Sequence, residues 1–433
     1  MVLDVNSGAL HSVDDAAFSV LRRMNNTEDT SKNIQPDVSS ETETVNAEIR
    51  KLVDAGLLFA PPKHTQVDAH MKSRRPVVKA LCLHIAHECN LRCAYCFAGQ
   101  GNYGDRGFMS FDVGKAALDF LIANSGTRRN LEVDFFGGEP MLNFEVVKEI
   151  VAYGRSLESS AGKNFRFTLT TNGAILSDTA AAYINDNFDN VVLSLDGRKS
   201  VNDAMRKFAS GGGTYDDILP KIRAFVDSRG DGNYYVRGTY TRHNLDFAAD
   251  VLHLADAGFR NISVEPVVAA ANADYAIREE DLPTLFAEYE KLAAALLERE
   301  RQGRGVFFFH FEMDLGGGPC IAKRVTGCGA GSEYFAVTPS GKLYPCHQFV
   351  GDENFLVGCV FTGVRENAHG FDDCHVFAKP ECAACWAKFY CSGGCHATAF
   401  YASGNIKKPD KISCELMKKR IECALYIFAQ RQK

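Results

Sequence analysis

Between residues 80 and 267, short apolar runs alternate with longer segments of helical periodicity. The short runs are 80–86 (ALCLHIA), 131–136 (LEVDFF), 166–171 (RFTLTT), 191–195 (VVLSL), 234–241 (YYVRGTYT) and 261–267 (NISVEPV). Helical spacing falls between them at 112–124, 143–158, 177–187, 214–228 and 246–257, and again at 279–301. Six strands separated by helices predict an α/β domain with a parallel sheet, open or curled toward a barrel. In both arrangements chemistry belongs at the carboxyl ends of the strands, where the βα loops gather.

The flanks differ from this middle. Residues 1–60 read as a small separate module: a hairpin around Asn6-Ser7-Gly8, a helix near 14–24, a polar, acidic insert at 25–44 and a helix at 45–56. The segment 61–76 is a proline-bracketed linker, and its Lys72, Arg74 and Arg75 read as a solvated face. The final third has short segments, many glycines and few long periodic runs. It is expected to bury little core, so metal sites holding it together are physically reasonable.

Composition narrows the class. The 433 residues suggest two or three domains, and 46% apolar with 24% charged is ordinary for a globular chain. A net charge of −6 argues against a nucleic-acid partner bound through bulk charge. No stretch approaches the 18 apolar residues of a membrane span. The opening MVLDVNSGALHSVDD has no basic segment followed by an apolar one, so a cytoplasmic, reducing compartment is expected. The uneven feature is cysteine. Of 15, four lie between Cys82 and Cys96 and eleven between Cys320 and Cys423. In a reducing compartment such clusters read as metal or redox sites rather than disulfides, zinc and iron–sulfur both being open.

The first group is Cys89-x3-Cys93-x2-Cys96, directly after the first strand. Three thiolates in one loop can hold a cubane with one iron left open; a zinc knuckle completed by His84 or His87 is the alternative. Cys-x3-Cys-x2-Cys with an aromatic before the last cysteine, here Tyr95, resembles the radical S-adenosylmethionine (SAM) superfamily. Phe136-Gly137-Gly138-Glu139-Pro140 ends the second strand as that family's GGEP segment does. Thr171-Asn172-Gly173 follows the third strand and Ser194-Leu195-Asp196-Gly197 the fourth. The resemblance implies a partial (β/α)6 TIM-like barrel whose three cysteines hold a SAM-binding [4Fe–4S] cluster. Tyr95 would then lie at the cofactor, Gly137, Gly138 and Glu139 at its amino group, and Ser194 and Arg206 at its nucleoside and carboxylate. A GxGxxG at Gly99–Gly104 follows no strand and reads as a loop over the cluster rather than a dinucleotide fingerprint.

The second group comprises Cys328, Cys346, Cys382-x2-Cys385-x5-Cys391-x3-Cys395 and Cys414. It is similar to the seven-cysteine SPASM extension, which implies two auxiliary [4Fe–4S] clusters and three in all. Cys382, Cys385, Cys391 and Cys414 would hold one; Cys328, Cys346 and Cys395 would share the other. Two fully ligated auxiliary clusters need one ligand more, which is either Cys320 or an iron left open for substrate. Cys82, Cys359, Cys374 and Cys423 read as inert thiols.

LDVNSGALHSVDD, GGPCIAKRVTGCGAGSEYFAVTPSGKLYPCHQFVG and CHATAF resemble the maturases that form thioethers in six-cysteine (SCIFF) and related ranthipeptide precursors. This implies an oxidoreductase of anaerobic cytoplasm that joins a cysteine sulfur to a carbon of a cysteine-rich, leader-bearing precursor peptide. A flavodoxin- or ferredoxin-type reductant would feed it. The implied domains are a winged-helix-like leader-recognition element at 1–62, a linker at 63–78, the SAM barrel at 79–302 and the SPASM region at 303–433. The family's first recognition strand, ahead of VLDVNSG, has no counterpart in this sequence. His347 stands where sulfatase-maturing relatives carry an aspartate base; it reads as a base or as a neutral structural histidine. Formylglycine-type oxidation, carbon–carbon crosslinking and a zinc-stapled peptide- or DNA-binding protein are the other readings.

Overall fold

The structure, a computed structural model, describes residues 1–25, 40–62, 77–316, 324–365, 370–371 and 374–432. Cys320, most of the acidic insert and the linker cations Lys72, Arg74 and Arg75 lie outside the described residues.

The expected strands form the middle of one sheet: β3 (Ala80–Ala86), β4 (Asn130–Gly137), β5 (Asn164–Thr171), β6 (Asn190–Ser194), β7 (Asn233–Tyr240) and β8 (Asn261–Pro266). They pair in parallel and in sequence order. Helices Phe111–Asn124, Phe144–Ala161, Asp178–Asn187, Tyr215–Arg229, Phe247–Asp256 and Leu282–Arg301 lie between or after them. The chain is thus an α/β protein with a mostly parallel sheet.

Alternation along each strand divides the two faces. On β4, Leu131, Val133 and Phe135 are fully buried and join Leu83, Phe167, Leu193 and Val236 in the main core under the helices. The intervening Asp134 and Phe136 share the opposite, concave face with Thr170, Ser194, Arg237 and Glu265. There the Arg237 guanidinium donates to Glu265 at 2.8 Å. The concave face is therefore polar, and the strand ends around it carry the chemistry.

The final third does more than the sequence suggests. β9 (Phe307–Phe308) joins β8, while β10 (Tyr334–Val337) adds in parallel to β3, with β11 (Lys342–Tyr344), β12 (Gly358–Cys359) and β13 (Gly363–Val364) beyond it. The sheet thereby has eleven strands. Helix Lys411–Arg431, at 21 residues, is a long element that the expected scarcity of periodic runs missed. It packs on two sides, and that blurs a single apolar stripe. Leu416, Cys423 and Ile427 enter the main core, whereas Ile421 and Ala424 pack with Leu315, Ala387 and Tyr390.

At the N-terminus, β1 (Val2–Leu3) and β2 (Leu10–His11) form the expected hairpin, followed by helices Asp15–Asn25 and Ser40–Asp54. Val20, Leu21, Val45, Ile49 and Leu58 make its own small core. The buried Asp4 carboxylate closes the turn by accepting from the Ser7 and Ala60 amides at 2.8 and 3.1 Å. Leu3 and Leu10 pack against the cluster of Leu315, Ala387, Tyr390, Ile421 and Ala424. Among the described residues no helix is long and apolar enough to cross a membrane.

Candidate active site and cysteine centres

One cleft of about 690 Å³ opens at the carboxyl ends of β3–β6. Cys89, Cys93, Tyr95, Cys96, Gly137, Gly138, Glu139, Ser194 and Arg206 all line it. These residues span more than a hundred positions of chain, and only the sheet gathers them. His347 stands at the edge, its ring stacked on Phe136 at 5.1 Å and close to Phe97 at 5.2 Å. Burial, reinforced by Arg237, pushes the His347 imidazole down to about 4, so the ring is neutral at ordinary pH.

The cysteine loop is seated by backbone. The amides of Gly138 and Glu139 donate to the carbonyls of Ala86 and Glu88 at 2.7 and 2.8 Å, which extends strand pairing into the loop. The glycine pair lets one protein segment approach another. A Cβ on Gly137 would meet the Ala86 carbonyl oxygen at 2.4 Å. The Gly99–Gly104 loop packs behind, Gly101 with φ +92° against Cys89. It reaches the cleft with Gln100 and Gly101.

Three donors fix the buried Glu139 carboxylate: the Thr171 hydroxyl at 2.7 Å and the amides of Asn172 and Met141 at 2.8 and 3.0 Å. A carboxylate has about four acceptor positions, so one stays available to an ammonium group. Burial raises its pKa, and these hydrogen bonds oppose that. Across the cleft, the Tyr95 hydroxyl donates to Asp196 at 2.6 Å, and Arg206 Nη1 donates to the Tyr95 oxygen at 3.0 Å. Arg206 Nε is buried with no hydrogen-bond partner. That unpaired donor in a cleft suits an anionic or carbonyl group of a ligand, because leaving it bare costs roughly 1–3 kcal/mol.

The cleft therefore offers an acceptor on one wall and a cationic donor on the other, the complement of an amino-acid head group. Between them, burial pushes the Cys89 thiol up to about 12, with the nearby Glu139 adding to it; burial also raises Cys93. A bound metal centre would reverse this, since its positive charge holds thiolates. The residues present thus fit SAM on a [4Fe–4S] cluster. Asn172, Thr171 and Asp196, to which the sequence alone assigned no individual role, belong to this site; their position just past strand ends was the available signal.

The C-terminal cysteines form two further groups. Cys382, Cys385, Cys391 and Cys414 line a second opening of about 1400 Å³. The short helices Pro380–Ala383 and Lys388–Cys391 bring Cys382 and Cys391, Cys385 lies in the segment between them, and the first turn of Lys411–Arg431 brings Cys414. Burial, with the other three thiols, raises Cys414 to about 12. Cys328, Cys346 and Cys395 are close enough for their charges to act on one another. Cys346 directly precedes His347, so this group adjoins the first cleft. Cys82, Cys374 and Cys423 are buried thiols and Cys359 is partly buried. Among the described residues no three His, Cys, Asp or Glu side chains close on a single-ion site.

An uncharacterized protein of Methanocaldococcus jannaschii is 28% identical over 189 residues, 43% of this chain. The aligned part is 62% of that relative, less than two thirds. The cysteine-type anaerobic sulfatase-maturating enzyme of Clostridium novyi is 25% identical over 65% of this chain and 76% of its own. Among solved structures, anSMEcpe with bound AdoMet and Cp18Cys peptide has a TM-score of 0.68 at 20% identity, covering 83% of this chain and 100% of that one. SuiB of Streptococcus suis bound to its precursor peptide SuiA has a TM-score of 0.56 at 16% identity, covering 92% and 86%. These two share the fold. Residues 83–252, which contain the three clustered cysteines, the Gly-Gly-Glu-Pro turn, Ser194 and Arg206, match the model of the Radical SAM superfamily.

Proposed function

We propose that this protein is a radical SAM peptide maturase that forms thioether links between cysteine sulfurs and carbon atoms of a cysteine-rich precursor peptide. The observation that carries the reading is the convergence of Cys89, Cys93 and Cys96 with Glu139, Ser194 and Arg206 in one cleft. When bound, SAM and its cluster supply one-electron cleavage and hydrogen-atom abstraction. The chain's residues supply position: Glu139 accepts the ammonium, Arg206 faces the anionic side with Tyr95 and Asp196 holding it, and Ser194 meets the nucleoside.

The two C-terminal cysteine groups support two auxiliary [4Fe–4S] clusters, with Cys320 or an open iron completing the second. His347, wedged between Phe136 and Phe97, would stand between that cluster and the SAM cleft as a neutral proton acceptor. Peptide as the substrate class is supported by the two solved structures above, which hold the Cp18Cys and SuiA peptides. The N-terminal hairpin and helices would engage the leader, and a flavodoxin- or ferredoxin-type protein would deliver electrons.

Each thioether removes two hydrogens from the peptide, one from sulfur and one from carbon. The test is anaerobic reconstitution with the precursor, followed by mass measurement and thiol alkylation. A loss of two hydrogens per link, with the thiol blocked, supports the reading. A new aldehyde in place of a cysteine thiol, with two hydrogens lost and sulfur exchanged for oxygen, would indicate a formylglycine-type oxidation instead. A colourless protein with stoichiometric zinc would sink the enzyme reading.

A further inference from the structure

The Cys89 sulfur receives two protein hydrogen bonds. The Leu91 amide donates to it at 3.4 Å, and the Asn172 side-chain amide donates at 3.7 Å. Leu91 belongs to the cysteine loop itself; Asn172 arrives from the end of β5 and is buried. Its orientation is fixed on every side. The Asn172 backbone amide donates to Glu139, its Oδ1 accepts from the Ala174 amide at 2.9 Å, and Nδ2 also donates to Asn90 Oδ1 at 2.8 Å. One hydrogen of Nδ2 thus serves Asn90 and the other the sulfur. The Asn90 oxygen itself lies 3.9 Å from that sulfur.

We propose that Asn172 sets the reduction potential of the cluster held by Cys89, Cys93 and Cys96, by donating its side-chain amide to the Cys89 sulfur. This rests on the cluster assignment above. Adding an electron concentrates negative charge on iron and sulfur. A donor at a ligand sulfur stabilises that state and raises the potential, one of the levers proteins hold over such clusters. The Glu139 carboxylate acts on Cys89 in the opposite sense, so the amide offsets a charge that cofactor binding requires. Aspartate has no hydrogens to give here, and serine does not reach both Asn90 and the sulfur, so the role is particular to asparagine. Asn172 is a positioning and tuning residue.

The experiment is an anaerobic redox titration of the full-length reconstituted protein followed by electron paramagnetic resonance. The cluster in question is the one whose signal changes on adding SAM and disappears in Cys93→Ala. Asn172→Ala and Asn172→Asp should lower its midpoint by about tenfold in the reduced-to-oxidised ratio, 59 mV for a one-electron couple. Asn90→Ala should shift it the other way, because the Asn172 amide is then released to the thiolate and a carbonyl oxygen is removed from its side. A general loosening of the loop cannot give opposite signs. If either Asn172 variant stays within about twofold of the native ratio, or Asn90→Ala shifts negative, the proposal is overturned. If the Asn172 variants take up no cluster, the sign for Asn90→Ala decides alone. A native protein lacking any SAM-responsive signal would instead overturn the cluster assignment.

Discussion

Gly138 and Glu88 lie so close that no side chain fits between them: a Cβ on Gly138 would stand 2.1 Å from the Glu88 carbonyl oxygen. It would also stand 2.7 Å from the carbonyl oxygen of Gly101. Both obstacles are backbone, so relief requires moving the loop that presents Cys89. Gly138→Ala is expected to cost about 1–3 kcal/mol and to lower iron uptake. Gly104→Ala is the control. Its φ of +79° strains a side chain, yet nothing stands within 4 Å, so iron content should hold. Equal iron contents in the two variants would refute the seating role.

Arg206 carries a buried, unpaired Nε beside the cleft while Nη1 is engaged by Tyr95. Arg206→Ala should weaken SAM binding by about tenfold or more, equivalent to roughly 1.4 kcal/mol, measured by anaerobic calorimetry at unchanged iron content. Arg206→Lys should recover little, because a point charge does not reproduce the forked geometry. Native-like affinity in both variants would remove Arg206 from the site.

Asp134 faces the concave side of the sheet, with Thr170 donating to it at 3.2 Å. Burial raises its carboxyl to about 7, only partly opposed by Thr170 and by Arg237. The unfolded chain releases this proton near pH 4; the native protein keeps it to about pH 7. Stability from this group therefore falls as pH rises through that window and is level above it. Asp134→Asn should lose this decline. Its apparent Tm relative to the native protein is expected to rise by roughly 2–4 °C between pH 5 and pH 8. A difference independent of pH would contradict the raised carboxyl.

The cysteine groups are separable. Cys93→Ala should remove about four of about twelve irons and abolish deoxyadenosine formation; Cys385→Ala should remove a similar share while SAM still binds. Iron analysis with SAM binding reads both. Loss of all iron in Cys385→Ala would mean that the clusters are not independently assembled.

Much of the frame was legible because strand patterns have period two and helix patterns a period near four, and β3 falls on the expected 80–86. Among the elements that escaped are one helix and four short strands. Helix Lys411–Arg431 is buried on two sides, so no single stripe marks it. Strand β10 is stabilised by docking on β3, a partner more than two hundred positions away, and β11 to β13 pair outward from it in turn; such short segments carry little intrinsic signal.

The site divides in the same way. Thiolate spacing and the Gly-Gly-Glu-Pro turn state their chemistry locally, since ligand type and loop reach are properties of adjacent residues. Asn172 and Asp196 do not. An Asn-Gly turn is an ordinary turn until the sheet brings its amide to the Cys89 sulfur. A tyrosine beside a cysteine has no evident partner until Asp196 and Arg206 close around its hydroxyl. The sequence by itself determined which groups can bind metal and where the repeating units begin. Tertiary structure alone decided which distant polar groups meet. Hydrogen bonds act over about 3 Å, a distance that chain spacing cannot encode across a hundred residues and that the packed sheet imposes.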